Sequence, residues 1–353
     1  MTKVRILILG TGGMAKSHAE AYAAMDTVEL VAGVDVNEQA LQDFCDLHAI
    51  EHRFTSLQQA LDWGDFDAVS NVTPDALHHK TTMPLLVGGK HVLCEKPLAT
   101  NYADAKEMAD AAGSAKVINM VNLTYRNVAA MQKASELVAT GVLGQIRHFE
   151  ASYLQSWLTQ PAWGDWKSES QWLWRLSTQH GSKGVLGDIG IHILDFVSHV
   201  AGSLPREVAC RLKTFHKAEG DQIGEYVLDA NDSFAMNVEL ENGAIGVVSA
   251  SRFASGHHND LRLRLYGDKG GIEVGFEKKV SKLRLCVGED IHSETWRDVE
   301  APSVKTNYQR FVDAVISGQQ TDPGFDLAAA LQMALDCAES SDQQDGRRLL
   351  VKS

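Results

Sequence analysis

The first residues of the chain that could do chemistry form a glycine-rich segment at residues 10–15. Its sequence, Gly-Thr-Gly-Gly-Met-Ala, fits the pattern G-x-G-x-x-A and follows a short apolar run that predicts a strand. In such a segment Gly10 permits a tight turn, Gly12 lets the backbone approach a pyrophosphate, and Ala15 allows close packing of helix on strand. The N–H groups of the following helix then face the phosphates. The predicted pyrophosphate site therefore consists of Gly10, Thr11, Gly12, Gly13, Met14 and Ala15.

An acidic residue, Asp35, stands at the end of the second apolar run. A carboxylate at this place of a dinucleotide-binding fold accepts hydrogen bonds from the adenosine ribose diol. It would also repel the 2′-phosphate of NADP, and the following Val36-Asn37-Glu38 contains no Arg that could bind one. We therefore predict NAD as the cofactor and regard NADP as less favoured.

Three more polar residues, Asp188, His192 and Asp195, recur at helical spacing in an apolar stretch. Asp188 and His192 are four residues apart and would share one helix face. Oxidation of an alcohol needs a base for the hydroxyl proton, and an imidazole, with an ordinary pKa of about 6.5, suits that task. The same residues could instead bind a divalent metal, but the sequence signals no fourth ligand, so we predict no metal site.

Short aliphatic runs alternate with segments of helical spacing along the first 122 residues. The runs predict strands at 4–9, 28–34, 68–72, 92–94 and 117–121, and the intervening segments predict helices at 14–24, 38–48, 57–63, 76–86 and 102–112. This alternation is typical of a parallel, doubly wound sheet. We therefore predict an α/β fold class, with a Rossmann-type dinucleotide-binding domain at residues 1–122.

From about residue 146 the pattern changes to extended, alternating stretches separated by turn residues. They predict strands at 146–154, 208–215, 234–240, 244–251, 261–266 and 283–287, with helices at 186–200 and 325–340. Strands joined by short turns form antiparallel sheets. Residues 123–353 are thus predicted to form an α+β domain for substrate binding and oligomerisation around a large, open, mainly antiparallel sheet. We expect the active site at the carboxyl ends of the parallel strands, where the two domains meet.

The composition excludes several classes of protein. The 353 residues include 46 Asp and Glu against 33 Lys and Arg, and a net charge of −13 argues against nucleic acid or an anionic membrane as partner. The five cysteines are scattered, with no C-x-x-C pair, which favours a reducing compartment, the cytoplasm, over a disulfide framework. The apolar run at residues 6–9 is too short for an export segment.

Three further segments point to one family. They are Cys94-Glu95-Lys96-Pro97-Leu98-Ala99, the pair Thr73-Pro74 followed by His78, and the D-x-G-x-H-x-x-D pattern at residues 188–195. Together with the glycine-rich segment they resemble the Gfo/Idh/MocA oxidoreductases, the family of glucose–fructose oxidoreductase and inositol dehydrogenase. The resemblance runs along nearly the whole chain and is specific for the family, but it says little about the substrate.

The resemblance implies roles for individual residues. Lys96 matches the catalytic lysine of the family, His192 the histidine that accepts the alcohol proton, and Asp188 its acidic companion. A lysine in this place can hydrogen-bond the developing alkoxide. The positions expected near the cofactor, besides Lys96, are Asn71, Thr73, Pro74, His78 and Glu95. In relatives the peptide bond before the proline of this motif is often cis, which makes Lys96–Pro97 a candidate.

Aromatic residues are concentrated at 153–175, where five of the seven tryptophans of the chain fall. Aromatic faces with polar groups between them suit a sugar, although they could equally build a domain or subunit interface. Trp174-Arg175 resembles family members that oxidise sugars or anhydrosugars. The predicted substrate contacts are Lys96, Tyr125, Arg126, Gln155, Trp157, Trp174, Arg175, Asp188 and His192.

The sequence leads to one main hypothesis and two alternatives. The main hypothesis is an NAD-dependent dehydrogenase that acts on a secondary hydroxyl of a sugar, anhydrosugar or polyol, with Lys96, Asp188 and His192 as the catalytic group. One alternative is a glycoside hydrolase or epimerase that retains NAD tightly, and the other is a regulator that binds dinucleotide without turnover. An open sheet in the second domain predicts a homodimer or homotetramer that covers it.

Overall fold

The computed structural model describes residues 3–352 and divides into two compact units. The first contains the described residues up to Thr124 together with Lys305–Gln332, and the second contains Tyr125–Val304 with the described residues from Met333 onward. The sequence predicted that residues 123–353 belong to a single domain. That prediction needs correction at 305–332, which pack with the N-terminal unit.

Strands and helices alternate through the first 121 residues. In chain order they are β1 (Val4–Leu9), α1 (Gly13–Ala23), β2 (Val28–Val34), α2 (Glu38–Leu47), β3 (His52–Phe54), α3 (Leu57–Trp63), β4 (Ala68–Asn71), α4 (His78–Val87), β5 (His91–Cys94), α5 (Tyr102–Ala115) and β6 (Asn119–Val121). Several helices begin at residues that favour this: Asn37 caps α2, Ser56 forms a capping box with Gln59 on α3, and Asn101 caps α5.

The strands of this first stretch form one parallel sheet, in the order β3-β2-β1-β4-β5-β6 among the described residues. Five of the six residues of β1 are buried, because all except Arg5 are apolar, as a parallel sheet covered by helices on both faces requires. The chain starts in the middle of this sheet, builds outward to β3, and then crosses back over β1 to β4. A crevice opens at such a switch point, beyond the carboxyl ends of the strands. The predicted Rossmann-type fold is confirmed.

The next stretch of the chain contributes mostly strands. In order they and the accompanying helices are α6 (Ala129–Ala139), β7 (Ile146–Leu154), α7 (Ser170–Leu173), α8 (Ile191–Ala201), β8 (Pro205–Lys213), β9 (Gln222–Ile223), β10 (Tyr226–Val227), β11 (Ser233–Leu240), β12 (Ile245–Ser251), β13 (Asp260–Gly267), β14 (Gly270–Glu277), β15 (Val280–Val287), α9 (Glu289–His292) and β16 (Arg297–Asp298). The last elements are α10 (Asn307–Ser317), α11 (Phe325–Gln343) and β17 (Leu349–Leu350).

In the described residues, nine strands of the second unit form one sheet in the order β16-β15-β14-β13-β7-β12-β11-β8-β17. Its pairs are antiparallel except β12 with β7, so the sheet is mixed but mainly antiparallel, as predicted. The helices α6 and α8 pack on one face. On the other face Ile245 and Val247, two residues apart on β12, are exposed. β12 therefore presents apolar side chains on a face that its own unit leaves open.

Helix α10 belongs to the segment 305–332, and its apolar face packs against the first unit. Tyr308, Phe311, Val312 and Ala314 on α10 are buried in the same core as β1 and α1. These residues recur at helical spacing, which is why α10 can cover the parallel sheet. The division between the units then falls within α11.

None of the helices in residues 3–352 combines the length and the apolar character that crossing a bilayer requires.

Candidate active site

The glycine-rich turn joins β1 to α1 and leaves room for a ligand. Gly10 has a φ of +87°, and a Cβ there would lie 2.8 Å from the carbonyl oxygen of Val72, so only glycine fits. A Cβ on Gly12 or Gly13 would meet no described atom within 4 Å. Within the described residues no side chain caps α1, which leaves the N–H groups of its first turn available to an anion.

The carboxylate of Asp35 lies against this turn. Its Oδ2 accepts hydrogen bonds from the backbone N–H of Thr11 (2.7 Å) and from the Thr11 hydroxyl (2.9 Å), and Oδ1 accepts from the N–H of Asn37 (2.9 Å). These contacts hold the acidic group just beyond the end of β2, beside the predicted pyrophosphate turn. Met14 is half exposed and Ala15 is fully buried, as a helix packed on a strand requires.

Glu95 follows β5 and is buried in a polar network that the sequence did not reveal. Its Oε1 accepts hydrogen bonds from Nε2 of His18 (2.9 Å) and from the amide of Asn122 (2.6 Å). The Asn122 amide also donates to the hydroxyl of Tyr308 on α10 (3.1 Å). Burial disfavours the charged form of Glu95, but His18, Asn122 and the neighbouring Lys96 outweigh it and lower the pKa to about 2.

Hydrogen bonds of the Asn71 side chain hold the loop after β4 in its conformation. The buried amide of Asn71 donates to the hydroxyls of Thr81 and Thr82 (both 2.9 Å), and its oxygen accepts from the Thr73 hydroxyl (2.7 Å). Asn71 was predicted among the residues near the cofactor. Its side chain forms hydrogen bonds to α4 and to the loop that begins at Thr73, so it stabilises the conformation of this loop.

Lys96 stands between Glu95 and a cis peptide bond to Pro97, and this confirms the predicted cis bond. Its backbone N–H donates to Oε2 of Glu95 (3.2 Å). The imidazole of His78, also predicted near the cofactor, contacts the carbonyl oxygens of Thr73 and Pro97. The first unit therefore brings the glycine-rich turn, Asp35, the Thr73 loop and the Glu95-Lys96 segment together around the carboxyl ends of its central strands.

In the second unit the segment that carries Asp188 and His192 is helical but not uniformly α-helical. Residues Leu186–Gly190 form a π-turn that runs directly into α8, so Asp188 lies on the π-turn and His192 on the α-helix. Such turns occur often at functional sites. Asp188 accepts from Arg175 (3.2 Å) on Oδ1 and from Arg252 (3.0 Å) on Oδ2. Two guanidinium groups favour its ionised form.

Asp195 belongs to a different ion pair. Its carboxylate accepts from Nε (2.8 Å) and Nη2 (2.7 Å) of Arg126, and both side chains are almost completely buried. The remaining Nη1 of Arg126 lies 2.5 Å from Nδ1 of His199. Arg126 was predicted to contact substrate, and this prediction needs correction, because its guanidinium is enclosed and engaged by α8. The alternative of a metal held by Asp188, His192 and Asp195 is also disfavoured, since the two carboxylates face different arginines.

Tyr125 lies beside His192, with ring centroids 5.0 Å apart and the planes nearly perpendicular. Its hydroxyl is 2.5 Å from that of Tyr153, which donates to Oδ1 of Asn259 (2.9 Å). Since the proton of Tyr153 is used in this way, Tyr125 donates to Tyr153 and keeps acceptor capacity of its own. Burial raises the pKa of Tyr125 to about 12, so it stays neutral at physiological pH.

The predicted aromatic stretch divides into two parts. Trp157 and Trp166 are buried with four leucines in a small core, and the indole N–H of Trp157 donates to Gln155 (3.1 Å). Gln155 in turn donates to Asn259 (2.8 Å). Trp157 and Gln155 were predicted to contact substrate, but both are nearly enclosed and support the residues around His192. Trp174 is only partly buried, and the Arg175 guanidinium lies over its ring at 4.7 Å.

Two family models match the chain. Residues 4–123 match a family model described as an oxidoreductase family with an NAD-binding Rossmann fold, and residues 131–273 match the GFO/IDH/MocA C-terminal domain. D-glucoside 3-dehydrogenase of Escherichia coli K12 is 30% identical over 281 residues, which are 77% of each chain. The chain belongs to the Gfo/Idh/MocA family.

Two other similarities extend over more of the chain. Levoglucosan dehydrogenase of Pseudarthrobacter phenanthrenivorans is 27% identical over 312 residues, 82% of this chain and 78% of the relative. A crystal structure of levoglucosan dehydrogenase in complex with NADH and L-sorbose superposes with a TM-score of 0.86 at 24% identity and 99% coverage of both chains. This second likeness concerns the fold. As a Gfo/Idh/MocA protein with an NAD-binding Rossmann domain, the chain is an oxidoreductase and its cofactor is NAD.

The residues of this Gfo/Idh/MocA chain fit that cofactor. The open space at Gly12 and Gly13, together with the uncapped start of α1, suits a pyrophosphate, and Asp35 suits a ribose diol. When bound, NAD supplies the acceptor for a hydride. The residues that hold it are expected at the turn, at Asp35 and around Thr73.

Sequence reasoning missed some residues of the site, although a signal for two of them was present. His18 lies three residues after Ala15 on α1, at helical spacing from the turn. Val248, Ala250 and Arg252 are alternate residues and therefore face the same, buried side of the strand and its continuation. A charged residue at such a position is the signal for Arg252. Asn259 has no such signal, because its position depends on how the loop between β12 and β13 folds.

Proposed function

We propose that the protein catalyses the NAD-dependent oxidation of a secondary hydroxyl of a sugar, anhydrosugar or polyol. Lys96, Asp188 and His192 are the catalytic group in this proposal. The observation that carries it is the pair of guanidinium groups on Asp188, from Arg175 and Arg252. They favour the charged form of the Asp188 carboxylate, which can then stabilise an imidazolium at His192.

In the proposed reaction His192 accepts the proton of the substrate hydroxyl. The charged carboxylate of Asp188, one helical turn earlier, stabilises the imidazolium that forms. His192 is nearly buried, and the edge of Tyr125 limits the positions that its ring can take. Lys96 donates a hydrogen bond to the oxygen as negative charge develops on it. Hydride leaves the carbon for the cofactor, so both the proton and the electron pair have an acceptor.

The substrate class is proposed from the side chains and from the relatives. Tyr125 keeps an acceptor for a hydroxyl proton, and the partly exposed Trp174 presents an aromatic face beside Arg175, as sugar-binding sites do. Levoglucosan dehydrogenase, D-glucoside 3-dehydrogenase and myo-inositol 2-dehydrogenase are the names of relatives, and all three denote the oxidation of a sugar, a glycoside or a polyol.

A screen of the purified protein tests the proposal. NAD+ is supplied with a panel of sugars, anhydrosugars, glycosides and polyols, and NADH is followed by its absorbance. Oxidation of at least one of them with turnover supports the dehydrogenase. Products without net NADH, from a protein that retains its NAD through gel filtration, would instead identify the hydrolase or epimerase alternative. Binding of NAD without any reaction would identify the regulator.

We further propose that the protein is a homodimer or homotetramer that covers the open face of the nine-stranded sheet. The exposed Ile245 and Val247 lie there on β12, and their cross-strand partners on the same face are polar: Glu239, Asn237, His148 and Glu150. This face therefore presents apolar side chains within a polar surround. Apolar area of this kind is usually covered in the assembled protein. Light scattering at micromolar concentration tests this: Val247→Asp should shift the protein toward the monomer, and a monomeric wild type would contradict it.

A further inference from the structure

The imidazole of His78 is enclosed between two loops of the first unit. His78 is the first residue of α4 and is completely buried. Its Nδ1 lies 2.7 Å from the carbonyl oxygen of Pro97, and its Nε2 lies 2.8 Å from the carbonyl oxygen of Thr73. One of these loops follows β4 and the other follows β5, and the second carries Lys96.

The identity of the two partners determines the protons on the ring. A backbone carbonyl oxygen accepts hydrogen bonds and cannot donate one. A neutral imidazole carries a single N–H, so it could bond to only one of the two oxygens, and the lone pair of its other nitrogen would face the second oxygen at hydrogen-bond distance. Both contacts are favourable only if both nitrogens donate. The geometry therefore favours the imidazolium form.

Other groups around His78 both oppose and support this charge. Burial disfavours it, and so does the first turn of α4, where the helix dipole is positive. The negative charge of Cys94 at the end of β5, when its thiol is ionised, and that of Asp75 on the short 3₁₀ turn before α4 act in the opposite direction, as does the Pro97 carbonyl. Together they outweigh burial and raise the pKa of His78 to about 10.

We propose that His78 is a permanently protonated positioning residue, which as an imidazolium ties the Thr73 loop to the Lys96–Pro97 segment and so fixes the backbone from which Lys96 acts. The inference rests on the proposed catalytic role of Lys96. It assigns His78 no contact with a reacting atom. Loss of either hydrogen bond would free the Lys96 loop to shift, and a misplacement of about 1 Å at a reacting group costs about a hundredfold in rate.

Nuclear magnetic resonance tests the charge directly. In the ¹⁵N-histidine-labelled protein, the His78 signals are assigned by their loss in His78→Gln. We expect both ring nitrogens to carry protons from about pH 6 to about pH 9, because deprotonation would break a buried hydrogen bond. A bare nitrogen at pH 7 would overturn the proposal. This result does not depend on activity, so it stands even if no sugar or polyol proves to be a substrate.

Kinetics test the positioning role. His78→Phe keeps an aromatic ring but removes both donors, His78→Gln restores an N–H donor, and His79→Gln is the matched control, since His79 is partly exposed and contacts only Glu107 in the hydrogen bonds described. We expect kcat to fall about a hundredfold in His78→Phe and less in His78→Gln, while His79→Gln is unchanged. The affinity for NAD+ should fall much less than kcat, because the glycine-rich turn and Asp35 stay in place although the Thr73 loop loses a hydrogen bond. A structural role alone would lower kcat, NAD+ affinity and the melting temperature together.

Two results would overturn the positioning role. One is wild-type kcat in a folded His78→Phe, and the other is a loss of kcat in His78→Gln that merely follows a loss of NAD+ affinity. If His78→Phe fails to fold, the kinetics of His78→Gln still test the positioning role and the resonance experiment still tests the charge. A wild type that oxidises nothing, with His78 doubly protonated, would refute the proposed function but not the charge.

Discussion

The two units build their polar sites in different ways. In the first, the glycine-rich turn depends on a conformation that only Gly10 can adopt and on a carboxylate that follows the adjacent strand, so a short strand–turn–helix segment determines most of it. In the second, Asp188 is held by Arg252, and Tyr153 by Asn259, which are partners 64 and 106 residues away. The glycine-rich turn with Asp35 thus depends on local backbone geometry. The surroundings of His192 depend on distant side chains, as does the Glu95 network of the first unit.

The largest expected effect is a loss of turnover with little change in cofactor binding. Lys96→Ala should lower turnover by about two to four orders of magnitude, because the developing alkoxide loses its hydrogen-bond donor. The affinity for NAD+ should stay within a few-fold, since the turn and Asp35 are intact. Steady-state NADH formation and fluorescence titration of NAD+ measure the two quantities. Lys80→Ala, an exposed lysine on α4, is the control; wild-type turnover in Lys96→Ala would remove Lys96 from the mechanism.

A second change tests whether distant pairs stabilise the second unit. Arg126→Leu leaves Asp195 buried without its partner, which should cost about 3–5 kcal/mol of unfolding free energy. Denaturant unfolding measures it, and the double variant with Asp195→Leu should recover much of the loss. Lys133→Leu breaks an exposed pair with Glu136 and should cost less than about 1 kcal/mol. Unchanged stability with a large rise in KM would restore Arg126 as a substrate contact.

The buried Glu95 network makes a prediction about pH. The folded state holds the pKa of Glu95 at about 2, below its ordinary value of 4.5. The network therefore stabilises the fold above about pH 4.5, and this stabilisation is lost as the pH falls from there toward 2. Relative to Glu95→Gln, the wild type should be more stable by about 3 kcal/mol at pH 6, and the gap should close in this window. Urea unfolding at several pH values measures it; a gap independent of pH would contradict the charged network.

The smallest expected effect concerns the choice of cofactor. Asp35→Ser removes the negative charge that opposes a 2′-phosphate, so the preference for NAD over NADP should narrow by about tenfold, which corresponds to about 1.4 kcal/mol. Binding titrations of both dinucleotides to wild type and variant measure the ratio. Tighter binding of NADP than NAD by the wild type would show that Asp35 does not have the role assigned to it.

The same contrast between local and long-range contacts explains which features could be predicted from the sequence. Apolar runs bounded by turn residues located β1 and β2 within the first unit, and the π-turn with α8 was expected as one helix at 186–200. β3 was missed because His52–Phe54 has only three residues and no apolar run. β14 was missed because it begins with two glycines, Gly270 and Gly271, which are typical of turns and depleted in strands.

Side-chain partners were harder to predict than elements. Arg126 was assigned to the substrate because it lies just past the last predicted strand of the first domain. Nothing in the local sequence shows that it pairs with Asp195, on a helix 69 residues later. Helix α10 was missed, and with it the return of residues 305–332 to the first unit, since its apolar face has a partner only once the parallel sheet exists. Long-range packing of this kind is not encoded in any single window of the sequence.

The most direct test of the account is the pH dependence of turnover in the wild type and in His192→Ala, with NAD+ affinity measured alongside. In the wild type, oxidation should rise through a limb typical of an imidazole, whose ordinary pKa is about 6.5. In His192→Ala, turnover should fall by about two to four orders of magnitude and the limb should disappear, while NAD+ binds with nearly unchanged affinity. If His192→Ala binds NAD+ and keeps near-normal turnover, the proton acceptor lies elsewhere and the assignment of the site is wrong.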